Sequence, residues 1–276
     1  MTPYCDGVFE LTGAPVVVTG GGTGIGRGIV RAMAKSGADL VIAGRTESTL
    51  ATSAAEARDL GANCLVVPTD ITKPADIAHL IEATVNEYGR IACWVNNAGS
   101  ARAEDVGPLI DLSESSWDNV VDLNLKWTFF ACQAAARSMA MTGGGSIVNI
   151  SSRSGAAPNP NTGQYGAAKA ALDNLTMTMA VEWGHLGIRV NAVAPGVVLT
   201  EDNIQHMTPS RTRRQVETVP LQRLGTPDDI GPLCVYFASP ESGWHTGTVV
   251  QINGGSPLPI GYLTYLHHKN SGLEFP

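Results

Sequence analysis

The sequence predicts an α/β fold of three layers, a doubly wound, seven-stranded parallel sheet with helices on both faces. Short apolar, β-branched runs alternate along the chain with longer segments of helical spacing. The short runs contain little polar alternation, which is typical of strands buried on both faces. The predicted strands are 16–18, 40–43, 64–67, 91–95, 147–150, 188–194 and 248–252, and the predicted helices are 25–36, 47–60, 74–88, 114–140, 164–184 and 227–238.

These elements account for almost all of the 276 residues, so we expect a single domain, 1–276, with its core at about 13–255. Two stretches lie outside the alternation. The polar segment 197–224 contains two prolines, which predicts a loop or short helices that cover a site. The aromatic-rich extension 256–276 contains three prolines, and we expect it to reach a neighbouring subunit or its pocket.

Composition restricts the partners and the cellular compartment. The net charge of −7, with no run of more than two Lys or Arg residues, argues against nucleic acid and anionic membrane surfaces. No apolar run approaches the roughly 18 residues of a membrane span, and residues 1–14 do not resemble a signal peptide. The five cysteines are widely separated and odd in number, which indicates reduced thiols in a cytoplasmic protein and no metal site.

A glycine-rich turn, Gly20 to Gly26, joins the first predicted strand to the first helix. Glycines there let backbone N–H groups approach a pyrophosphate, and the helix N-terminus adds partial positive charge. Glycines also occur in plain tight turns, but the strand–turn–helix context favours dinucleotide binding.

The second predicted strand ends in Gly44 and Arg45, with no carboxylate. An acidic residue at this place binds the 2′-hydroxyl of NAD(H), whereas an arginine accommodates the 2′-phosphate of NADP(H). Arg45 therefore favours NADP(H). NAD(H) stays possible, because Arg45 would not bind phosphate if it faced water or paired with Glu47.

Tyr165 and Lys169 are four residues apart in a helical segment, which places them on one helix face. A nearby ammonium favours the phenolate, so we expect Lys169 to lower the pKa of Tyr165. Ser151 and Ser152 end the fifth strand at the carboxyl edge of the sheet, where a serine hydroxyl can donate to a developing alkoxide. This combination predicts acid–base catalysis at a carbonyl or alcohol carbon.

These motifs, in this order, resemble those of the short-chain dehydrogenase/reductase family, in its 3-oxoacyl reductase and hydroxysteroid dehydrogenase-like branch. The resemblance implies a Rossmann fold. The resemblance runs from about residue 13 to 255 and implies a catalytic tetrad of Asn124, Ser152, Tyr165 and Lys169. The cofactor contacts implied by the family motifs, together with Arg45, are Gly20, Gly22, Thr23, Gly24, Ile25, Gly26, Arg45, Asp70, Ile71, Asn97, Ala98, Gly99, Tyr165, Lys169, Pro195, Gly196, Val198 and Thr200.

The resemblance also implies roles for the tetrad. Lys169 would hold the nicotinamide ribose, Tyr165 would exchange a proton with the substrate oxygen, Ser152 would polarise the carbonyl, and Asn124 would connect Lys169 through water to solvent. The family further implies a homotetramer in which the long helices 114–140 and 164–184 pack against their symmetry mates.

Several alternatives stay open. Thr23 stands where NADP(H)-preferring relatives often carry a basic residue. A second hypothesis is therefore an NAD(H)-dependent secondary alcohol dehydrogenase. A cofactor-sensing protein without turnover is a third, although the intact tetrad argues against it. The substrate is open among ketones, sugars, steroids and acyl thioesters. Arg153 either shapes the pocket or lies on its rim, and His206 is expected to face water rather than substrate.

Overall fold

One seven-stranded parallel sheet organises the computed structural model, which describes residues 8–205 and 207–256. The strand order is β3-β2-β1-β4-β5-β6-β7, and the predicted fold class is confirmed. The strands are β1 (Pro15–Thr19), β2 (Asp39–Gly44), β3 (Cys64–Pro68), β4 (Cys93–Asn96), β5 (Gly145–Ile150), β6 (Ile188–Pro195) and β7 (Val249–Ile252).

The strand order reverses at β1, which pairs with β2 on one side and with β4 on the other. Val18 is the register partner of both Ile42 and Val95. In open parallel sheets, ligands bind beyond the carboxyl ends of the strands at such a switch point. The topology thus places the glycine turn after β1 at the mouth of the expected crevice.

Helices cover both faces of the sheet. They are α1 (Gly24–Lys35), α2 (Glu47–Asp59), α3 (Pro74–Tyr88), α4 (Glu114–Val121), α5 (Trp127–Met141), α6 (Gly163–Trp183), α7 (Glu201–Ile204), α8 (Pro209–Glu217) and α9 (Pro227–Ala238). Side chains of β1 alternate between the two faces, since Val16 and Val18 join the core beneath α1, α2 and α9, whereas Val17 joins the core beneath α3, α5 and α6. This two-sided burial explains the continuous apolar runs of the sequence.

The helix expected at 114–140 is interrupted by a π-helical stretch, Asp122–Lys126, between α4 and α5. The side-chain amide of Asn124 donates to the carbonyl oxygen of Val120 at 2.9 Å. In a regular α-helix the backbone N–H of Asn124 would donate to that oxygen. A local widening therefore turns the Asn124 side chain inward, as π-bulges often do at functional sites.

The segment 197–224 folds into the short helices α7 and α8, in agreement with the prediction. A bridge between Val198 and Gly225 closes its base. The threonine before α7, Thr200, forms a reciprocal capping box with Asn203, which fixes the direction in which the segment leaves the sheet. His206 and the extension 257–276 lie outside the described residues, and so do the predictions made for them.

Across residues 8–205 and 207–256, no helix is long and apolar enough to cross a membrane. The described part of the chain contains no group of three or more His, Cys, Asp or Glu side chains placed to hold a metal ion. Four cysteines in this part of the chain carry free thiols: Cys64, Cys93, Cys132 and Cys234.

Candidate active site

The glycine turn is too compact for side chains. Gly20 and Gly24 have φ angles of +64° and +51°, in the left-handed region that favours glycine. A Cβ on Gly26 would lie 2.1 Å from the carbonyl oxygen of Gly20, and one on Gly22 would lie 2.7 Å from the hydroxyl oxygen of Thr49. The three glycines of the Gly20-x-x-x-Gly24-x-Gly26 motif therefore keep the backbone tightly folded at the N-terminus of α1.

Asn97 attaches the end of β4 to this turn. Its side-chain amide donates to the carbonyl oxygens of Thr19 and Gly20, at 3.0 and 3.1 Å. In return, the Thr19 hydroxyl accepts hydrogen bonds from the backbone N–H groups of Asn97 and Ala98. The predicted cofactor residues after β1 and after β4 are thus brought together by hydrogen bonds across the switch point.

At the other end of the crevice, Asp70 follows β3 and accepts hydrogen bonds from the N–H and hydroxyl of Thr72. Burial raises the pKa of Asp70, but the Thr72 bonds and the charges of Lys73 and Arg45 outweigh it and lower the pKa. Arg45 is exposed, and the described residues show no ion pair between it and Glu47, so the alternative pairing is not formed. Ile71, beside Asp70, is buried.

The segment after β6 folds back over the glycine turn. The N–H of Gly196, which follows Pro195, donates to the carbonyl oxygen of Ile252 in the neighbouring strand at 2.9 Å. Val198 is buried, and the methyl carbon of Thr200 would lie 3.1 Å from a Cβ on Gly24. The family resemblance implies that this segment contacts the cofactor, and the structure brings it against the turn that begins α1.

Sequence reasoning missed the carboxylate of Glu201. It accepts a hydrogen bond from the N–H of Gly24 at 2.9 Å and lies 3.4 Å from the Arg27 guanidinium. The backbone N–H groups of Glu201 and Gly24, with the charge of Arg27, lower its pKa against the opposing effect of burial. A carboxylate thus already sits on the N-terminus of α1, which shows that this turn accommodates an anion.

Ser152 and Tyr165 meet at the carboxyl edge of β5. The Ser152 hydroxyl oxygen accepts a hydrogen bond from the N–H of Ser154 at 3.1 Å, which orients it. Burial raises the pKa of Tyr165, and a hydrogen bond with Ser152 lowers it only in part. This differs from the expected lowering by Lys169, whose ammonium lies 5.6 Å from the centre of the Tyr165 ring and donates to the carbonyl oxygen of Ile150 instead.

Lys169 and Asn124 converge on Gly99. The Lys169 ammonium is buried, which lowers its pKa to about 8, while Asp173 acts in the opposite direction. Asn124 donates to the carbonyl oxygens of Ser100 and Val120, and its own Oδ1 is buried with no hydrogen-bond partner among the described residues. A Cβ on Gly99 would lie 2.6 Å from that oxygen and 3.4 Å from the Lys169 nitrogen.

Comparison with known proteins gives the family. A family model described as enoyl-(acyl carrier protein) reductase matches residues 20–256. The 2-dehydro-3-deoxy-D-gluconate 5-dehydrogenase of Escherichia coli K12 is 36% identical, over 90% of this chain and 96% of that protein. The chain belongs to the short-chain dehydrogenase/reductase family. A short-chain type dehydrogenase/reductase from Mycobacterium marinum has a similar structure, with a TM-score of 0.86 and 33% identity over 91% of this chain and 98% of that one.

A 7α-hydroxysteroid dehydrogenase, solved with NADH and 7-oxo glycochenodeoxycholic acid, superposes with a TM-score of 0.87 at 29% identity, covering 92% of this chain and 98% of that one. By their names, these relatives act on a sugar acid and on a steroid, so the branch is broad. This short-chain dehydrogenase/reductase is an oxidoreductase of a family that acts on alcohols and ketones with NAD(P)(H).

The residues present fit a nicotinamide dinucleotide. The compact turn at the N-terminus of α1 already binds an anionic group, the Glu201 carboxylate. At the other end, the buried Asn124 Oδ1 is an unpaired acceptor, and the Lys169 ammonium makes one hydrogen bond, to Ile150, among the described residues. An acceptor beside N–H donors matches the hydroxyl groups of a ribose.

Asp173 is a half-buried acidic residue that sequence reasoning missed in this short-chain dehydrogenase/reductase. It lies one turn beyond Lys169 on α6, and its Oδ1 is buried without a partner in the described chain. Burial raises its pKa, which the Ser151 hydroxyl and the Lys169 charge partly counteract. The i,i+4 spacing to Lys169 was the sequence signal that would have identified it.

Proposed function

We propose that this enzyme uses NADP(H) to interconvert a ketone or aldehyde and an alcohol, with Tyr165 as the acid–base group. The observation that carries the proposal is the convergence of Ser152, Tyr165, Lys169 and Asn124 at the carboxyl edge of the sheet, beside the glycine turn. A non-catalytic cofactor sensor would not need a phenol between a serine hydroxyl and a buried ammonium.

The proton chemistry follows from the local environment. A bound nicotinamide supplies or takes up the hydride. Because burial raises the pKa of Tyr165, the side chain is a protonated phenol at neutral pH and can give its proton to a carbonyl oxygen. Ser152, whose hydroxyl lies near enough to influence the pKa of that phenol, donates a hydrogen bond to the same oxygen as negative charge develops on it.

Lys169 and Asn124 support this step. The Lys169 ammonium, with its pKa lowered to about 8, stabilises the phenolate that remains after proton transfer. Its hydrogen bond to Ile150 fixes the side chain at the end of β5. The free Oδ1 of Asn124 would accept a hydrogen bond from a water, through which a proton from solvent passes by way of Lys169 to the Tyr165 phenolate.

The preference for NADP(H) rests on Arg45. It follows β2, its positive charge reaches Asp70 at the end of β3, and it forms no ion pair with a carboxylate within the described ranges. A guanidinium in that position can clamp a 2′-phosphate with two hydrogen bonds. Thr23, which carries no charge, leaves Arg45 as the main cation for that phosphate.

The test is a fluorescence titration of the purified protein with NADPH and NADH, repeated with Arg45→Ala. We expect tighter NADPH binding, and a loss of about 10–100-fold in NADPH affinity in Arg45→Ala with little change for NADH. Arg90→Ala is the matched control. Arg90 is an exposed arginine just before β4, at the amino ends of the strands and therefore away from the candidate site. Equal binding, or tighter NADH binding, favours the NAD(H)-dependent alcohol dehydrogenase instead.

We also propose that the enzyme is a cytoplasmic homotetramer in which α5 and α6 meet their symmetry mates. Support comes from a surface groove of about 580 Å³ between these helices, which is lined by Phe129, Leu175 and Met179 among others. On the same two helices, Met141 and Val181 are more than four-fifths exposed. Light scattering of the purified protein tests the assembly, and a monomer mass would contradict it.

A further inference from the structure

The Arg153 side chain links the ends of β5 and β7 at the carboxyl edge of the sheet. Arg153 is the third residue after β5, and its Nη1 donates to the hydroxyl of Ser256, the fourth residue after β7, at 3.0 Å. Strand β6 lies between β5 and β7, and its carboxyl end is Pro195, followed by Gly196. The guanidinium therefore extends over the end of β6, on the side of the sheet edge where Ser152 lies.

The backbone that carries Arg153 is held firmly. It begins the short 3₁₀ turn Arg153–Gly155, which starts with the hydrogen bond from the Ser154 N–H to the Ser152 hydroxyl. The Ser154 hydroxyl accepts a hydrogen bond from Asn159 at 2.9 Å. At the far end of the Arg153 side chain, its hydrogen-bond partner Ser256 is buried. A fixed turn and a buried anchor keep the arginine in place before any substrate arrives.

The charge of Arg153 is not compensated by the described part of the chain. No carboxylate there lies within 4.0 Å of it, whereas Arg27, Arg31 and Arg223 each pair with one. The side chain is half-buried, and the one hydrogen bond it makes among these residues uses one of its five N–H donors. A half-buried guanidinium with further N–H donors and no counter-charge among the described residues is suited to bind a negative group on a ligand.

We propose that Arg153 binds a carboxylate on the substrate, so that the enzyme acts on keto acids and the corresponding hydroxy acids. The inference rests on the proposed function, because it takes Ser152 as the group that holds the reacting oxygen. Ser152 and the Arg153–Ser256 pair both lie at the carboxyl ends of the strands, so a single substrate that carries both a carbonyl and a carboxylate could reach both groups. One guanidinium matches one singly charged carboxylate in a two-pronged hydrogen bond. Arg153 thereby determines substrate specificity.

The test compares three keto acids, each with its neutral methyl ester, which lacks the negative charge. The acids are levulinate, acetoacetate and 3-oxocyclohexanecarboxylate. Two readouts are taken with the NADPH-loaded enzyme: kcat/KM for reduction, and the thermal stabilisation of the enzyme by each probe. The variants are Arg153→Met and Arg153→Lys, and Arg90→Met is the control.

We expect at least one acid to be preferred over its ester, and Arg153→Met to lower the acid-to-ester ratio of kcat/KM about 10–100-fold. Arg153→Lys keeps the charge and part of the preference. The inference is overturned if no acid is preferred by either readout, or if the preference survives in Arg153→Met. If neutral esters are reduced in a Tyr165-dependent manner, the proposed function stands even then. If no carbonyl is reduced at all, the proposed function itself fails.

Discussion

The carboxylate of Glu201 accepts a hydrogen bond from the backbone N–H of Gly24 at 2.9 Å. This bond joins the segment that covers the site to the turn that would hold a pyrophosphate. Arg27 strengthens the link, since its guanidinium lies 3.4 Å from the same carboxylate. The lowered pKa keeps Glu201 negatively charged at neutral pH, so a second anion at this turn meets electrostatic repulsion.

Glu201→Gln should therefore tighten NADPH binding by roughly 3–10-fold at low salt, because the substitution removes that repulsion and keeps the side-chain shape. The gain should shrink as ionic strength rises. Fluorescence titration at two salt concentrations measures both effects. Glu87→Gln, an exposed glutamate near the end of α3, serves as the control. Unchanged or weaker binding by Glu201→Gln would show that the carboxylate does not oppose the cofactor.

Burial of Lys169 makes stability depend on pH. Its pKa falls from 10.5 to about 8 on folding, so the folded state binds fewer protons than the unfolded state between those values. The cost of burying the ammonium is fully present below pH 8 and is relieved as pH rises toward 10.5.

Relative to Lys169→Met, the free energy of unfolding of the wild type should therefore increase by up to about 3 kcal/mol from pH 7 to pH 10.5. Urea unfolding of both proteins without cofactor, at several pH values, measures the difference. Taking the difference removes the contribution of other groups that titrate in this range. If the difference in the free energy of unfolding between the two proteins did not change with pH, Lys169 would not be buried as an ammonium.

Gly26→Ala should prevent the glycine turn from closing. The new methyl group would lie 2.1 Å from the carbonyl oxygen of Gly20, so the backbone must shift. We expect a loss of at least ~2 kcal/mol in the free energy of unfolding, together with loss of NADPH binding. Gly184→Ala is the control, because Gly184 has an ordinary φ of −57° and open space around its Cβ position. Equal behaviour of the two variants would contradict the packing described for the turn.

The fold was predictable because its strands are buried on both faces and its turns are marked by glycine. Strand boundaries shifted by one or two residues, as at β4, which begins at Cys93 rather than residue 91. The π-helical stretch at Asn124 was not predictable from apolar spacing, because it depends on one side-chain hydrogen bond to Val120.

The motif positions of the candidate site were predictable, but their electrostatics were not. Spacing placed Lys169 on the same helix face as Tyr165, yet it does not reveal that the ammonium is held by the Ile150 carbonyl. The contacts of Glu201 with Gly24 and of Arg153 with Ser256 join residues 177 and 103 positions apart. No local pattern encodes such contacts, which arise only when the strands assemble.

In the proposed reaction, Tyr165 transfers the proton to the substrate oxygen. Tyr165→Phe removes only the hydroxyl, so it should lower kcat about 10²–10⁴-fold for a carbonyl substrate while the NADPH dissociation constant changes little. Stopped-flow oxidation of NADPH, combined with fluorescence titration of the same preparation, measures both quantities. A large loss of kcat with unimpaired binding is the predicted result, and near-normal turnover in Tyr165→Phe would show that Tyr165 is not the acid–base group.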